Sequence, residues 1–321
     1  MDQGDIVEPR SALGEALVRL GQKYPALVVL SPDVSLSTKA IKFNQAFPER
    51  FICSGISEQN TVGMAAGLST MGWIPIVAGY AMFVAGKAWE PLRNSIAYSN
   101  NNVKIVATHC GINVGPDGVT HQAIEDIALM RAIPGMVVLA PTDAGQVESA
   151  VQEALDYYGP VYIRLERAAT PIVSKNIPMQ IGQSQTLRDG KDVTIIAIGG
   201  MVALSLQAAE ILAAEGVEAR VISMTSIKPL DEEAVASASC ETGAIVVAED
   251  HNRLGGLGAA IAESLVRKYP APMEQVAIGD VFAESGPVPS LYTKYHLTKE
   301  DIIAAVKKVI VRRGSMVRDG R

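Results

Sequence analysis

The chain has 321 residues, enough for about two domains with a sizeable core in each. Hydrophobic residues make up 48% of it and the formal charge is -6, which excludes the basic field that would attract nucleic acid or an anionic membrane. The three cysteines, Cys53, Cys110 and Cys240, show no metal-ligand spacing and no obvious pairing, as expected in a reducing cytoplasm. No charged-then-apolar leader or bilayer-length apolar run stands out, so a cytoplasmic location is expected, without secretion or membrane insertion.

Short β-branched runs alternate with segments of helical period. Strands are expected at Leu27-Val28-Val29-Leu30, Ile74-Pro75-Ile76-Val77, Val103-Lys104-Ile105-Val106, Val137-Val138-Leu139 and Val161-Tyr162-Ile163. Helices are expected over 11–23, 58–71, 85–99, 123–131 and 144–157. The alternation is that of a parallel, doubly wound α/β sheet, assigned here to residues 1–175.

The rhythm breaks at Thr170 into Pro171, Pro178, Gly182 and Asp189-Gly190, and 176–190 reads as a linker. A second, smaller α/β series fills 191–321. Its strands begin at Val193-Thr194-Ile195-Ile196-Ala197, Arg220-Val221-Ile222, Ala244-Ile245-Val246-Val247 and Gln275-Val276-Ala277-Ile278. Helices over 203–214, 232–238, 258–267 and 299–309 would cover it, and the basic Lys307-Lys308 and Arg312-Arg313 read as a solvated tail. Leu254-Gly255-Gly256-Leu257-Gly258 and Ile198-Gly199-Gly200 lack the spacing of a dinucleotide fingerprint and are expected to be tight turns. No Gly-Asp-Gly followed at the right distance by Asn occurs.

One acidic residue stands out. Glu58 opens a helix in Gly55-Ile56-Ser57-Glu58-Gln59-Asn60, just after a strand-like run and before the apolar Met64-Ala65-Ala66-Gly67-Leu68. A first-turn carboxylate facing the helix dipole would be the ordinary reading. Its company favours chemistry: Phe83 in Tyr80-Ala81-Met82-Phe83, then Thr108-His109-Cys110-Gly111, then Gly115-Pro116-Asp117-Gly118-Val119-Thr120-His121-Gln122. The last is a loop rich in proton donors and acceptors.

This ordered series resembles the C-terminal half of transketolase, its pyrimidine-binding domain followed by its C-terminal domain. The resemblance implies thiamine diphosphate as cofactor. Glu58 would hydrogen-bond the aminopyrimidine N1′, and so control its tautomer, while Phe83 would stack on the ring and Asp33 would lie near the thiazolium and substrate channel. Asp117 and His121 match the pair that handles donor hydroxyls, with His109 assisting. Arg10, Ser37, His109 and Arg167 match the sugar-phosphate site, where an arginine fork suits phosphate oxygens. The family's Gly-Asp-Gly motif, which holds Mg2+ (or Ca2+ or Mn2+) and the diphosphate, is missing. The resemblance therefore implies a split enzyme whose N-terminal, diphosphate-binding subunit supplies that site, as an α2β2 heterotetramer acting on sugar phosphates. It further implies a C-terminal domain outside the chemistry, with His251 at a turn or interface.

Two departures accompany the resemblance. One extra residue lies between Phe83 and Arg93, leaving Lys87 and Arg93 unassigned, and Val119 replaces a proline, freeing that loop's φ angle. Three alternatives compete. Deoxyxylulose phosphate synthase carries Asp-Arg-Ala-Gly where this chain has Thr108-His109-Cys110-Gly111. A 2-oxo-acid dehydrogenase β subunit needs no phosphate clamp. A noncatalytic scaffold has no use for Glu58 and Phe83. Arg164 and Glu166 read as a surface or interface ion pair of little energetic weight.

Overall fold

The computed structural model of the chain describes residues 5–318, so the outer ends of the 1–175 and 191–321 spans lie outside the described residues. A short ribbon pairs β1 (Ile6–Val7) antiparallel with β8 (Thr170–Pro171), bringing the start of the chain to the end of the first domain. Between them run β2 (Leu27–Ser31), β3 (Phe51–Cys53), β4 (Ile74–Tyr80), β5 (Lys104–Thr108), β6 (Val137–Leu139) and β7 (Val161–Arg164), all mutually parallel. These strands are apolar without alternation because helices cover both faces. Along β2, Leu27 and Val29 join a core with Leu13 and Leu17, while Val28 and Leu30 join another with Val62 and Ile127.

The second domain has β9 (Gln185–Arg188), β10 (Val193–Ala197), β11 (Ala219–Ser223), β13 (Ile245–Asn252) and β14 (Met273–Ile278) in the order β14-β13-β10-β11-β9, with only β9 antiparallel. Thus β9 is built from the stretch expected to be a linker. The remaining strand, β12 (Ser226–Lys228), leaves its own domain and pairs antiparallel with β6, giving the first sheet the order β12-β6-β7-β5-β4-β2-β3. Ile196, Ile222 and Val247 of the second domain share one apolar core with Met136 and Val138 of the first. An interface of that composition, with a strand exchanged across it, opposes relative domain motion.

Several details differ from expectation. The first helix is Pro9–Lys23, two residues longer, because Pro9 supplies its first position, and Arg10 sits on its first turn rather than before it. The basic C-terminal residues are not a solvated tail. They lie on the helix Lys299–Arg318, where Lys307 pairs with Glu215 at 2.7 Å, Lys308 with Glu274 at 2.8 Å, and Arg313 donates to the carbonyls of Asp192 and Thr242.

The single helix expected over 85–99 is instead π-helical at Met82–Lys87 and again at Leu92–Ala97. The Ala88 N–H donates to Phe83 O, five residues back, at 3.1 Å. A π turn takes in one more residue than an α turn, which accounts physically for the extra residue between Phe83 and Arg93.

Candidate active site

The candidate residues lie beyond the C-terminal ends of the parallel strands, where open α/β sheets bind their ligands. Asp33 follows β2, Glu58 follows β3, Phe83 follows β4, His109 follows β5 and Arg167 follows β7. Asp33 is exposed, with φ +61°, and the Cys53 Sγ approaches its carboxylate to 3.8 Å.

Glu58 is the first residue of the helix Glu58–Thr70 and is only 4% exposed. The Lys87 ammonium donates to its Oε2 at 2.7 Å, and Gln59 Nε2 donates to the Lys87 carbonyl at 3.1 Å. The helix start and the π turn are therefore stitched together twice. Glu58 Oε1 makes no hydrogen bond among the described residues.

An aromatic row links the rest. Phe83 meets the His121 ring edge-on at 5.1 Å, Tyr80 lies 6.2 Å from both Phe83 and His121, and His109 packs against Tyr80 at 4.0 Å. Tyr80, the last residue of β4, is thus central to the site. Its sequence signal was slight: an aromatic with a polar tip at the end of a buried strand.

His109 adopts φ +63°, and its Nδ1 lies 2.8 Å from Thr108 Oγ1. Burial, reinforced by the positive charges of Arg10 and Arg167, pushes its pKa down to about 3, so the imidazole is neutral. Arg10 donates to the Ser37 carbonyl at 3.3 Å and forks onto Glu8 at 2.8 and 3.2 Å, which holds the Glu8 carboxyl below its usual range. Arg167 Nη1 donates to Val114 O at 2.5 Å and lies 3.5 Å from Asp117 Oδ1. Arg10, Ser37, His109, Asp117 and Arg167 are therefore brought together. Arg93 is not part of the group; it bonds its neighbour Asn94.

The loop carrying Asp117 and His121 is braced from the second domain. The Asp250 carboxylate, at 1% exposure, accepts from the Ile112 and Asn113 amides at 2.9 and 3.1 Å and from Tyr292 OH at 3.2 Å. Gln122 Nε2 donates to Glu284 O at 3.0 Å, and Ser285 packs on Gly118. The C-terminal domain thus touches the loop's backbone, closer to the site than expected. Nothing in the sequence spacing signalled Asp250. Met82, Val119, Gln122, Leu129 and Phe282 line a cleft of about 300 Å3 beside Phe83 and His121.

Arg164 and Glu166 are not a surface pair. Arg164 is buried, bonds Asp126 through Nε at 3.0 and 3.2 Å, and donates to Asp250 O at 2.6 Å. Tyr162 OH completes the Asp126 cluster at 2.8 Å. Glu166 is also buried; it accepts from the Gly200 amide at 2.8 Å, while burial and nearby Asp250 raise its pKa to about 7. His251 is fully buried on β13, with Nδ1 2.6 Å from Asn252 O and Nε2 4.0 Å from Asp126 Oδ1 of the first domain, so it lies at the interface between the two domains, as expected.

A doubly wound parallel domain that gathers a helix-start carboxylate, an aromatic row and a buried histidine beyond its strand ends belongs to the class of open-sheet α/β proteins that bind ligands there. Residues 7–172 match the family model "Transketolase, pyrimidine binding domain", and residues 182–302 match "Transketolase, C-terminal domain". The chain belongs to the transketolase family, as a pyrimidine-binding domain followed by a transketolase C-terminal domain. It is 46% identical to a putative transketolase C-terminal section of Methanocaldococcus jannaschii, over 91% of this chain and 93% of that one. It is 40% identical to a 6-deoxy-6-sulfo-D-fructose transketolase subunit of Clostridium sp., over 95% of each. A solved split-gene transketolase, described as an inactive beta4 tetramer, superposes with a TM-score of 0.88 at 49% identity, covering 95% of this chain and 98% of that one.

Proposed function

We propose that the chain is the C-terminal subunit of a split transketolase, transferring a two-carbon ketol unit from a ketose phosphate to an aldose phosphate with thiamine diphosphate. The observation that carries this reading is Glu58: a buried carboxylate beside an aromatic row, with Oε1 uncommitted. Those residues fit the aminopyrimidine end of the cofactor: Glu58 would hydrogen-bond its N1′ and Phe83 would stack on its ring. When bound, thiamine diphosphate supplies a carbon nucleophile and an electron sink. No group of three or more His, Cys, Asp or Glu suited to a metal ion occurs among the described residues. Mg2+, or Ca2+ or Mn2+ in its place, is assigned with the diphosphate to the partner because the Gly-Asp-Gly motif is missing from this chain.

The chain's own residues do the rest. Glu58 sets the tautomer of the ring it faces, in a setting where one aimed carboxylate has leverage. His121 and the neutral His109 exchange protons with the donor hydroxyls, and Asp117 orients those hydroxyls. Arg10, Ser37 and Arg167 seat the phosphate, with Asp33 at the channel beyond β2. The sulfonated ketose in the name of the Clostridium relative is compatible with the same clamp, since sulfonate and phosphate both present tetrahedral oxygens. Ile56, two residues before Glu58, is 77% exposed, and Phe282 equally so; such apolar surface beside a site suits a covering subunit. An α2β2 assembly in the cytoplasm would provide it.

Glu58→Ala tests the reading. In a complex with a diphosphate-domain partner it should remain assembled and lose at least about a hundredfold in turnover, the scale for removing one aimed electrostatic group. Undiminished turnover would refute it and favour a scaffold.

A further inference from the structure

The Lys87 ammonium is the only side chain that hydrogen-bonds Glu58 among the described residues, and it reaches Glu58 because of the π turn. The turn Met82–Lys87 starts beside Phe83 and ends on Lys87, so the residue that widens it also carries the ammonium to the helix start. Gln59 grips the Lys87 carbonyl, which fixes the base of that side chain. The two oxygens of Glu58 are thereby made unequal: Oε2 is held at 2.7 Å and Oε1 is free.

We propose that Lys87 is a positioning residue for Glu58, clamping Oε2 so that Oε1 alone is presented to the heterocycle. This deepens the reading of Glu58 given above and rests on it. Two physical arguments support the role. A carboxylate at 4% exposure with no partner would carry the desolvation cost of a buried charge, and Lys87, itself half-exposed, removes much of it without being buried. A carboxylate rotor pinned at one oxygen is also already aimed, so no orientation is lost when the ring arrives. The π turn serves this geometry; an α turn one residue shorter would carry the ammonium to another face of the helix.

The test uses Lys87→Met, Lys87→Arg, Glu58→Gln and the Lys87→Met/Glu58→Gln double variant. Turnover and cofactor affinity are measured in the two-chain complex, and thermal melting in the full chain without cofactor. Lys87→Met should lower kcat about tenfold, the scale for a modest misalignment, with the KM for the sugar phosphate unchanged. Lys87→Arg should recover most of it. Without cofactor, Lys87→Met should lower the melting temperature, and in the Glu58→Gln background it should lower it no further. Wild-type kcat and melting temperature in Lys87→Met would overturn the proposal, as would an equal loss of stability in both Glu58 backgrounds. The proposal and the reading beneath it fail separately. If Glu58→Gln abolishes turnover while Lys87→Met does nothing, Glu58 keeps its role and Lys87 has none; if Glu58→Gln is itself active, the reading of the site falls.

Discussion

Three charged groups of the site rest on a partner from their own chain: Glu58 on Lys87, Arg10 on Glu8, Arg167 on Asp117. A phosphate entering the clamp therefore competes with Glu8 and Asp117 for planar guanidinium forks that a lysine cannot reproduce. Arg167→Lys should raise the KM for a phosphorylated donor about tenfold while leaving kcat near wild type, and should barely affect an unphosphorylated donor; initial-rate kinetics on the pair would show it. Buried Glu166 makes a different prediction. Its folded pKa, about 7, is above the ordinary glutamate value of 4.5, so the folded state holds its proton more tightly than the unfolded one. Stability from this group is full below about pH 4.5 and is lost as pH rises to about 7. Glu166→Gln should raise the melting temperature at pH 8 relative to wild type and change little at pH 5. His109 works the other way: its pKa, lowered to about 3, gives stability that is full above the ordinary histidine pKa of about 6.5 and is lost toward about pH 3.

At the scale of elements, the loop 111–122 depends on glycines as much as on its acids and histidines. Gly111 has φ +66°, and a Cβ there would overlap the Asp250 carboxylate that holds the Ile112 and Asn113 amides. Gly135 has a similar φ of +74° with nothing near its Cβ position. Gly111→Ala should therefore cost about 3 kcal/mol or more of stability and lower turnover, while Gly135→Ala should cost about 1 to 2 kcal/mol, from backbone strain alone, and leave activity intact. Urea unfolding of the two variants separates local strain from loss of the brace. The strands were largely legible, since continuous apolar runs such as Val193–Ala197 and Val137–Leu139 admit few other readings. Glu58 and the histidine loop were legible through their order along the chain. What escaped were features made by tertiary contact. The π turns look like any apolar helix in sequence, and Asp250 meets Ile112 across 138 positions. Arg164, the last residue of β7, and Glu166, two positions on, resemble a surface pair until Asp126 and Gly200 claim them separately.

Across the whole molecule, the two domains share an apolar core and the second gives β12 to the sheet of the first, so it holds the loop 111–122 as a fixed wall rather than a mobile lid. The exposed Ile56, Val119 and Phe282 lie around a site that has an aimed carboxylate and an anion clamp but no cluster for a metal among the described residues. On the proposed reading this chain carries half of a catalytic centre and the covering subunit the other half. The direct measurement is two-carbon transfer from xylulose 5-phosphate to ribose 5-phosphate, with thiamine diphosphate and magnesium, by this chain alone and after co-expression with a diphosphate-domain partner. Turnover only in the co-expressed complex is the expected result. Turnover by the chain alone, or none from a stable, cofactor-loaded complex, would contradict it.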